Sequence, residues 1–146
     1  MGKRIEERGV LDCPNGLLGF PHAKQFIILE ESKGAEPIFR WLQSVDDPDV
    51  AFVVADPDLF VKDYWENIPI GDLSECDLKE NEYPLFLVIV TVPADDPLKM
   101  TANLLAPLLL SPLTKTIRQV VLSHSDYVSH YPVFEKVRSV LVGASE

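Results

Sequence analysis

The feature that most limits the fold of this chain is how short its apolar runs are and how close together they lie. QFIILE (residues 25–30), PIFRWLQS (37–44), VAFVVAD (50–56), LFLVIVTV (85–92), ANLLAPLLL (102–110) and TIRQVVL (116–122) are rich in Val, Ile, Leu and Phe and bounded by Pro, Gly, Asp or Asn. This is how strands separated by turns read in sequence. Several of the gaps are only about 5 to 10 residues, too short for the crossover helices of a parallel sheet, which take a dozen residues or more. With 12 prolines and 7 glycines spread along 146 residues, long helices have little room. The expected fold is mainly β, a small antiparallel β-barrel-like domain with short helical segments. Residues 1–146 are read as one domain, because no repeat, low-complexity tract or Ser/Gly linker divides them.

Individual segments refine this. LFLVIVTV is apolar on both faces apart from Thr91, which predicts a central strand covered on both sides. In PIFRWLQSV the alternation puts Phe39, Trp41 and Val45 on one face and Ile38, Arg40, Leu42 and Ser44 on the other; the first is expected to face the core, with Trp41 buried in it. Pro107 breaks ANLLAPLLL and calls for a bulge or an edge, since proline cannot donate to a ladder. Helical turns are expected in 71–83, capped by Ser74, and in the tail from Val133, with Val133, Val137 and Val140 or Leu141 on one stripe and a stop at Gly143.

Charge narrows the partners. Thirteen basic against 23 acidic residues give a net charge of −10, which repels phosphate backbones and anionic headgroups, so neither nucleic acid nor membrane is an expected partner. Acidity of this order also serves plain solubility. MGKRIEERG lacks the apolar core of a signal peptide, and the longest apolar stretch falls well short of the ~18 residues that cross a bilayer, so a cytoplasmic location is expected. Cys13 and Cys76 are expected to be free thiols. His22, His124 and His130 show no zinc-ligand spacing and are expected at the surface.

No catalytic pattern emerges. Reading SVDDPDVAF as a calcium loop from Asp46 puts Ala51 where glycine is needed and Pro57 where glutamate is needed, so the stretch is better read as a hairpin turn. ADPDLF and PADDP repeat the same turn chemistry after later strands. LSHSDY holds the residue types of a hydrolase triad, but neighbouring strand residues point to opposite faces and no G-x-S-x-G elbow is present. There is no phosphate loop, and no metal or cofactor is implied.

NGLLGF, WLQSVDDPDVAFVVADP, LVIVTVP and MTANLLAPLLL together resemble the motifs of the bacterial flagellar assembly factor family FliW, over about residues 13 to 122. The strings from Leu42 to Phe52 and from Met100 to Pro107 are the specific ones. The chain departs from the family at Cys13–Phe20, where two positions of the usual glycine motif are replaced, and the segment ahead of it is short. The resemblance implies a non-enzymatic protein that binds the RNA-binding translational regulator CsrA, relieves its repression of flagellin synthesis, and alternatively binds flagellin. A carboxylate-using enzyme or metal-binding domain is the alternative. Both specific strings mix core residues with polar ones, which places an expected partner-binding face around Gln43, Ser44, Asp46, Asp47, Met100 and Asn103. Asn103 bonding the backbone near Pro107, and Asp46 capping the hairpin, would instead give these residues a role in folding alone.

Overall fold

The computed structural model describes residues 3–5, 9–31, 38–76 and 85–144. Its strands are β1 (Lys3–Ile5), β2 (Leu11–Asp12), β3 (Gln25–Glu31), β4 (Arg40–Ser44), β5 (Ala51–Ala55), β6 (Leu85–Thr91), β7 (Thr101–Ala102), β8 (Leu108–Ser111), β9 (Thr116–Gln119) and β10 (Tyr131–Pro132). Helix α1 (Ile70–Cys76) lies between β5 and β6, and α2 (Phe134–Ala144) follows β10. All these strands join one sheet.

Antiparallel pairing runs β2-β3-β4-β5-β6, and β6 continues to β8 and β8 to β9. A parallel step between β2 and β9, Asp12 opposite Thr116, joins the ends, so seven strands close a barrel. β6 is long enough to hold two neighbours on one side: Leu85–Leu87 pair with β8, Val90 and Thr91 with β7. β7 and β8 therefore lie along the same side of β6. Ala102 to Leu108 spans only Val90 to Leu87 of the partner; the Asn103 N–H still donates to the Ile89 carbonyl, and residues 104–107 loop out. The irregularity expected at Pro107 is this bulge.

Two apolar cores result. The barrel interior packs Leu11, Phe26, Ile28, Leu42, Val54, Leu108, Leu110 and Ile117. The second lies outside the barrel, where Phe86, Val88 and Val90 on the outer face of β6 meet Phe60, Tyr64, Ile68, Leu104, Leu122, Val133 and Val137. β6 is covered on both sides, as its sequence implies. Tyr64 anchors the outer core: its hydroxyl donates to the Leu104 carbonyl at 2.6 Å, and its ring stacks on Tyr127 with centroids 4.6 Å apart. Burial, then the neighbouring Tyr127 and Cys76, hold its phenol far above the ordinary range.

The face of β4 is the reverse of the expectation. Leu42 and Ser44 point into the barrel, whereas Trp41 is 42% exposed and Val45 48% exposed. Alternation separates two faces but does not say which is inside. Ser44 sits directly opposite Phe26 and Leu42 opposite Phe52, so a small residue faces a large ring, and an indole would overfill that layer. α1 begins at Ile70, just after Pro69, and Ser74 lies within it, its hydroxyl donating to the Ile70 carbonyl instead of capping. Residues 77–83 of that expected helix lie outside the described residues. Val133, just before the tail helix, and Val137 within it are both buried, and the helix runs through Ala144, one residue past the expected stop at Gly143; the Val140 and Leu141 side chains lie outside the described residues. Cys13 and Cys76 form no disulfide and are buried, one in each core, and the three histidines are exposed.

Candidate functional site

The motifs singled out in the sequence converge on one end of the barrel. Residues 13–24, between β2 and β3, fold under that end as a plug: Cys13, Leu17 and Ala23 join the interior core and Phe20 meets Phe52 edge-on at 5.2 Å. The plug depends on Gly16, whose φ of +67° lies in the left-handed region. A Cβ there would come within 2.6 Å of the Pro21 backbone, so only glycine fits.

The β4–β5 hairpin sits beside the plug and is tied to it. Asp46 Oδ2 accepts the Lys24 backbone N–H at 2.8 Å, Val45 N–H donates to the Gln25 carbonyl at 2.9 Å, and His22 Nε2 lies 3.7 Å from Asp47 Oδ2. Within the hairpin, Ser44 Oγ accepts the Asp47 N–H and Asp47 Oδ1 accepts the Asp49 N–H, both at 3.0 Å. Gln43 Nε2 donates to the carbonyls of Ser44, Pro48 and Val50 and braces the loop from its flank. Across the barrel end, Asn103 Oδ1 accepts the N–H groups of Leu105 and Ala106 and shapes the bulge.

Each expected face residue thus has a definite place. Gln43, Asp46, Asp47 and Asn103 are half-buried or exposed at this end. Ser44 (3% exposed) and Met100 (8% exposed) lie beneath it, so the expected face is corrected there: neither side chain is at the surface. Sequence reading missed Gln119, which links plug to bulge by accepting the Leu18 N–H and donating to the Ala106 carbonyl, both at 2.9 Å. Nothing local marks a glutamine in TIRQVVL for that role, because its partners come from distant segments.

A second polar cluster lies elsewhere. Asp72, wholly buried at the start of α1, accepts the backbone N–H of His124 through both carboxylate oxygens and lies 3.0 Å from His124 Nδ1. The ring borders an open depression of about 390 Å³ that includes Lys62, Asn67 and Tyr127. Ser125 is no nucleophile for it: its hydroxyl donates to the Leu122 carbonyl and accepts the Tyr127 N–H. The pair fastens α1 to the loop after β9. Among the described residues no three His, Cys, Asp or Glu side chains are grouped to hold a metal; Asp47 and Asp56 accept backbone N–H groups of their own turns, Asp46 that of Lys24 and Asp58 that of Tyr64.

Comparison with known proteins matches this architecture. The family described as FliW protein matches residues 2–133. The flagellar assembly factor FliW of Leptospira interrogans serogroup Icterohaemorrhagiae is 40% identical over 132 residues, covering 90% of this chain and 87% of that protein. The flagellar assembly factor FliW of Natranaerobius thermophilus is 38% identical over 130 residues, 89% of this chain and 85% of its own. A crystal structure of the flagellar assembly factor FliW superposes with a TM-score of 0.70 at 27% identity, covering 90% of this chain and 89% of that one. A closed barrel with its plug and bulge motifs at one end, matched over nearly its whole length by these proteins, places the chain in the FliW family of flagellar assembly factors.

Proposed function

We propose that this protein acts in the cytoplasm, without catalysis, by binding the translational regulator CsrA and relieving its repression of flagellin synthesis, and that it alternatively binds flagellin. Flagellin that accumulates then occupies the protein and frees CsrA to silence the message again. The observation that carries the reading is membership of the flagellar assembly factor family over residues 2–133. The net charge of −10 fits it, since an RNA-binding regulator presents Lys and Arg and opposite fields speed encounter. In this reading Gln43, Asp46, Asp47 and Asn103 lie on the rim that partners approach, with Ser44 and Met100 supporting it from below.

The test is calorimetry of the purified protein with CsrA and with flagellin from the same organism, followed by competition between them. Micromolar or tighter binding of each, and displacement of CsrA by flagellin, is the expected result. Failure of both to bind overturns the proposal. Because Asp46 and Asp47 also hold backbone N–H groups, Asp46→Asn/Asp47→Asn is the suitable rim variant: it keeps the acceptors, removes the charge, and is expected to slow CsrA association and flatten its salt dependence.

A further inference from the structure

The hydrogen bonds that fasten α1 also fix the chemistry of an imidazole at the surface. Asp72 is wholly buried and holds the His124 backbone N–H with both carboxylate oxygens, at 3.1 and 3.2 Å, so this contact alone joins helix and loop. The ring adds something the junction does not need. Its Nδ1 lies 3.0 Å from the same carboxylate while the side chain is 64% exposed. It packs against Gly71, where a Cβ would come within 3.4 Å of Nδ1. Because a carboxylate accepts, Nδ1 carries the proton, and Nε2 of the neutral ring keeps its lone pair toward the depression.

The other polar groups of the depression also accept. Asn67 donates its Nδ2 to the Asp63 carbonyl at 2.9 Å, which leaves Oδ1. The exposed Asp126 carboxylate has no partner among the described residues. The hydroxyls of Ser125 and Tyr127 donate inward, to the carbonyls of Leu122 and Tyr64. Burial first, then the carboxylates of Asp58 and Glu66, raise the Tyr127 phenol, so negative charge surrounds this wall. Lys62 is the one ammonium in the lining, and its exposed, flexible stem lets it swing to solvent.

We propose that this depression receives an arginine side chain of a protein partner, its guanidinium donating to His124 Nε2, Asn67 Oδ1 and Asp126, with Asp72 the positioning residue that keeps Nε2 an acceptor. A planar cation with several fixed donors suits acceptors that converge from different directions, and its apolar stem suits the Val61 and Pro69 wall. A carboxylate or phosphate is a poor occupant, since Asp58, Glu66 and Asp126 stand around a single ammonium. The occupant rests on the protein-binding reading above, and the contact uses none of the rim residues named there.

The probe is acetyl-Gly-Arg-Gly-amide, with the citrulline peptide of the same length as its uncharged counterpart and phosphate and acetate as anions. Ring nitrogen and proton shifts of His124, assigned with His124→Ala, are followed by NMR in the full-length protein. The free ring is expected as the Nδ1–H tautomer, and the Arg peptide is expected to shift Nε2 saturably, about fivefold or more tighter than the citrulline peptide. Asp72→Asn still accepts the backbone N–H but offers Nδ1 a donor, so it is expected to turn the ring to the Nε2–H tautomer and lose the peptide with its melt retained. The exposed Asp126→Asn is expected to weaken the peptide about threefold or more, and at least one of CsrA and flagellin likewise.

Equal response to the citrulline peptide, or a shift produced by phosphate or acetate and not by the Arg peptide, overturns arginine as the occupant. An Nε2–H tautomer in the unsubstituted protein, or an unchanged tautomer in Asp72→Asn, overturns the role of Asp72. If CsrA or flagellin binds while the His124 signals stay still and Asp126→Asn binds like the unsubstituted protein, the inference falls and the proposed function stands. If neither protein binds, the proposed function fails, and the Arg peptide decides the site: a saturable shift retains it, and none ends it.

Discussion

The outside of the barrel is treated in two ways. Along β6, Phe86, Val88 and Val90 are buried beneath residues from 57–76 and 120–137, so this strand has an apolar core on each side. Along β4, Leu42 is buried inside and Trp41, on the opposite face, is 42% exposed. The difference follows from connection length. β4 and β5 are joined by six residues, 45–50, all used in closing the hairpin, whereas the chain between β5 and β6 and after β9 is long enough to lie back over the sheet. Where the connection is only a turn, it has no length left with which to lay a second layer over the outer face.

That contrast can be broken most directly from the inside. Phe26→Ala removes a fully buried ring that faces Ser44 across the β3–β4 pair, and the rigid ring of strands cannot collapse into the void; a loss of about 3 to 5 kcal/mol in urea unfolding is expected. A loss below about 1 kcal/mol would mean that the interior is not the stabilising core. In the outer core, Tyr64→Phe keeps the ring and leaves the buried Leu104 carbonyl without its donor, for an expected cost of about 1 to 3 kcal/mol by the same measurement.

Alkaline titration samples both cores together. Burial raises the Cys13 thiol above its ordinary 9.0 and the Tyr64 phenol above its ordinary 10.0. Above those values the unfolded chain has released both protons while the folded one retains them, so stability is intact below about pH 9 and declines as pH rises. The expected slope is about 1.4 kcal/mol per pH unit per group. Tyr64→Phe is expected to flatten the part above pH 10, and an unchanged slope counts against burial as the cause. The smallest effect belongs to the outer face of β4: Trp41→Ala is expected to cost about 1 kcal/mol, since the residue is 42% exposed. A cost like that of Phe26→Ala would show that the indole is packed as tightly as the interior.

The same contrast explains what could be read from sequence. LFLVIVTV announced a doubly covered strand because no polar residue broke either face, and Pro107 announced its bulge because a missing N–H cannot be supplied by any context. FRWLQSV misled because both of its faces carry apolar residues. The deciding fact was that Ser44 has Phe26 opposite and the Asp47 N–H on its hydroxyl, neither visible in a local pattern. The turn motifs were legible as turns, and Asn103 does bond the backbone beside Pro107; Asp46, expected to cap its own hairpin, instead accepts the Lys24 N–H of the plug, and Ser44 and Asp47 brace the hairpin. Their convergence with the plug through Gln119 was not, because Leu18 and Gln119 are 101 residues apart.

The same separation governs when the fold can be completed. The parallel step between β2 and β9 joins residues near opposite ends of the matched region, so the hairpins β3-β4-β5 can form early while the ring waits for Thr116 to reach Asp12. A topology closed by so distant a pairing pays its loop entropy late, and refolding in milliseconds to seconds is expected in stopped-flow measurements, microsecond refolding being the contrary result. During synthesis the sheet therefore keeps unpaired strand edges until β9 has emerged, and the acidic turns at the strand ends, which repel one another between copies, protect it while it waits.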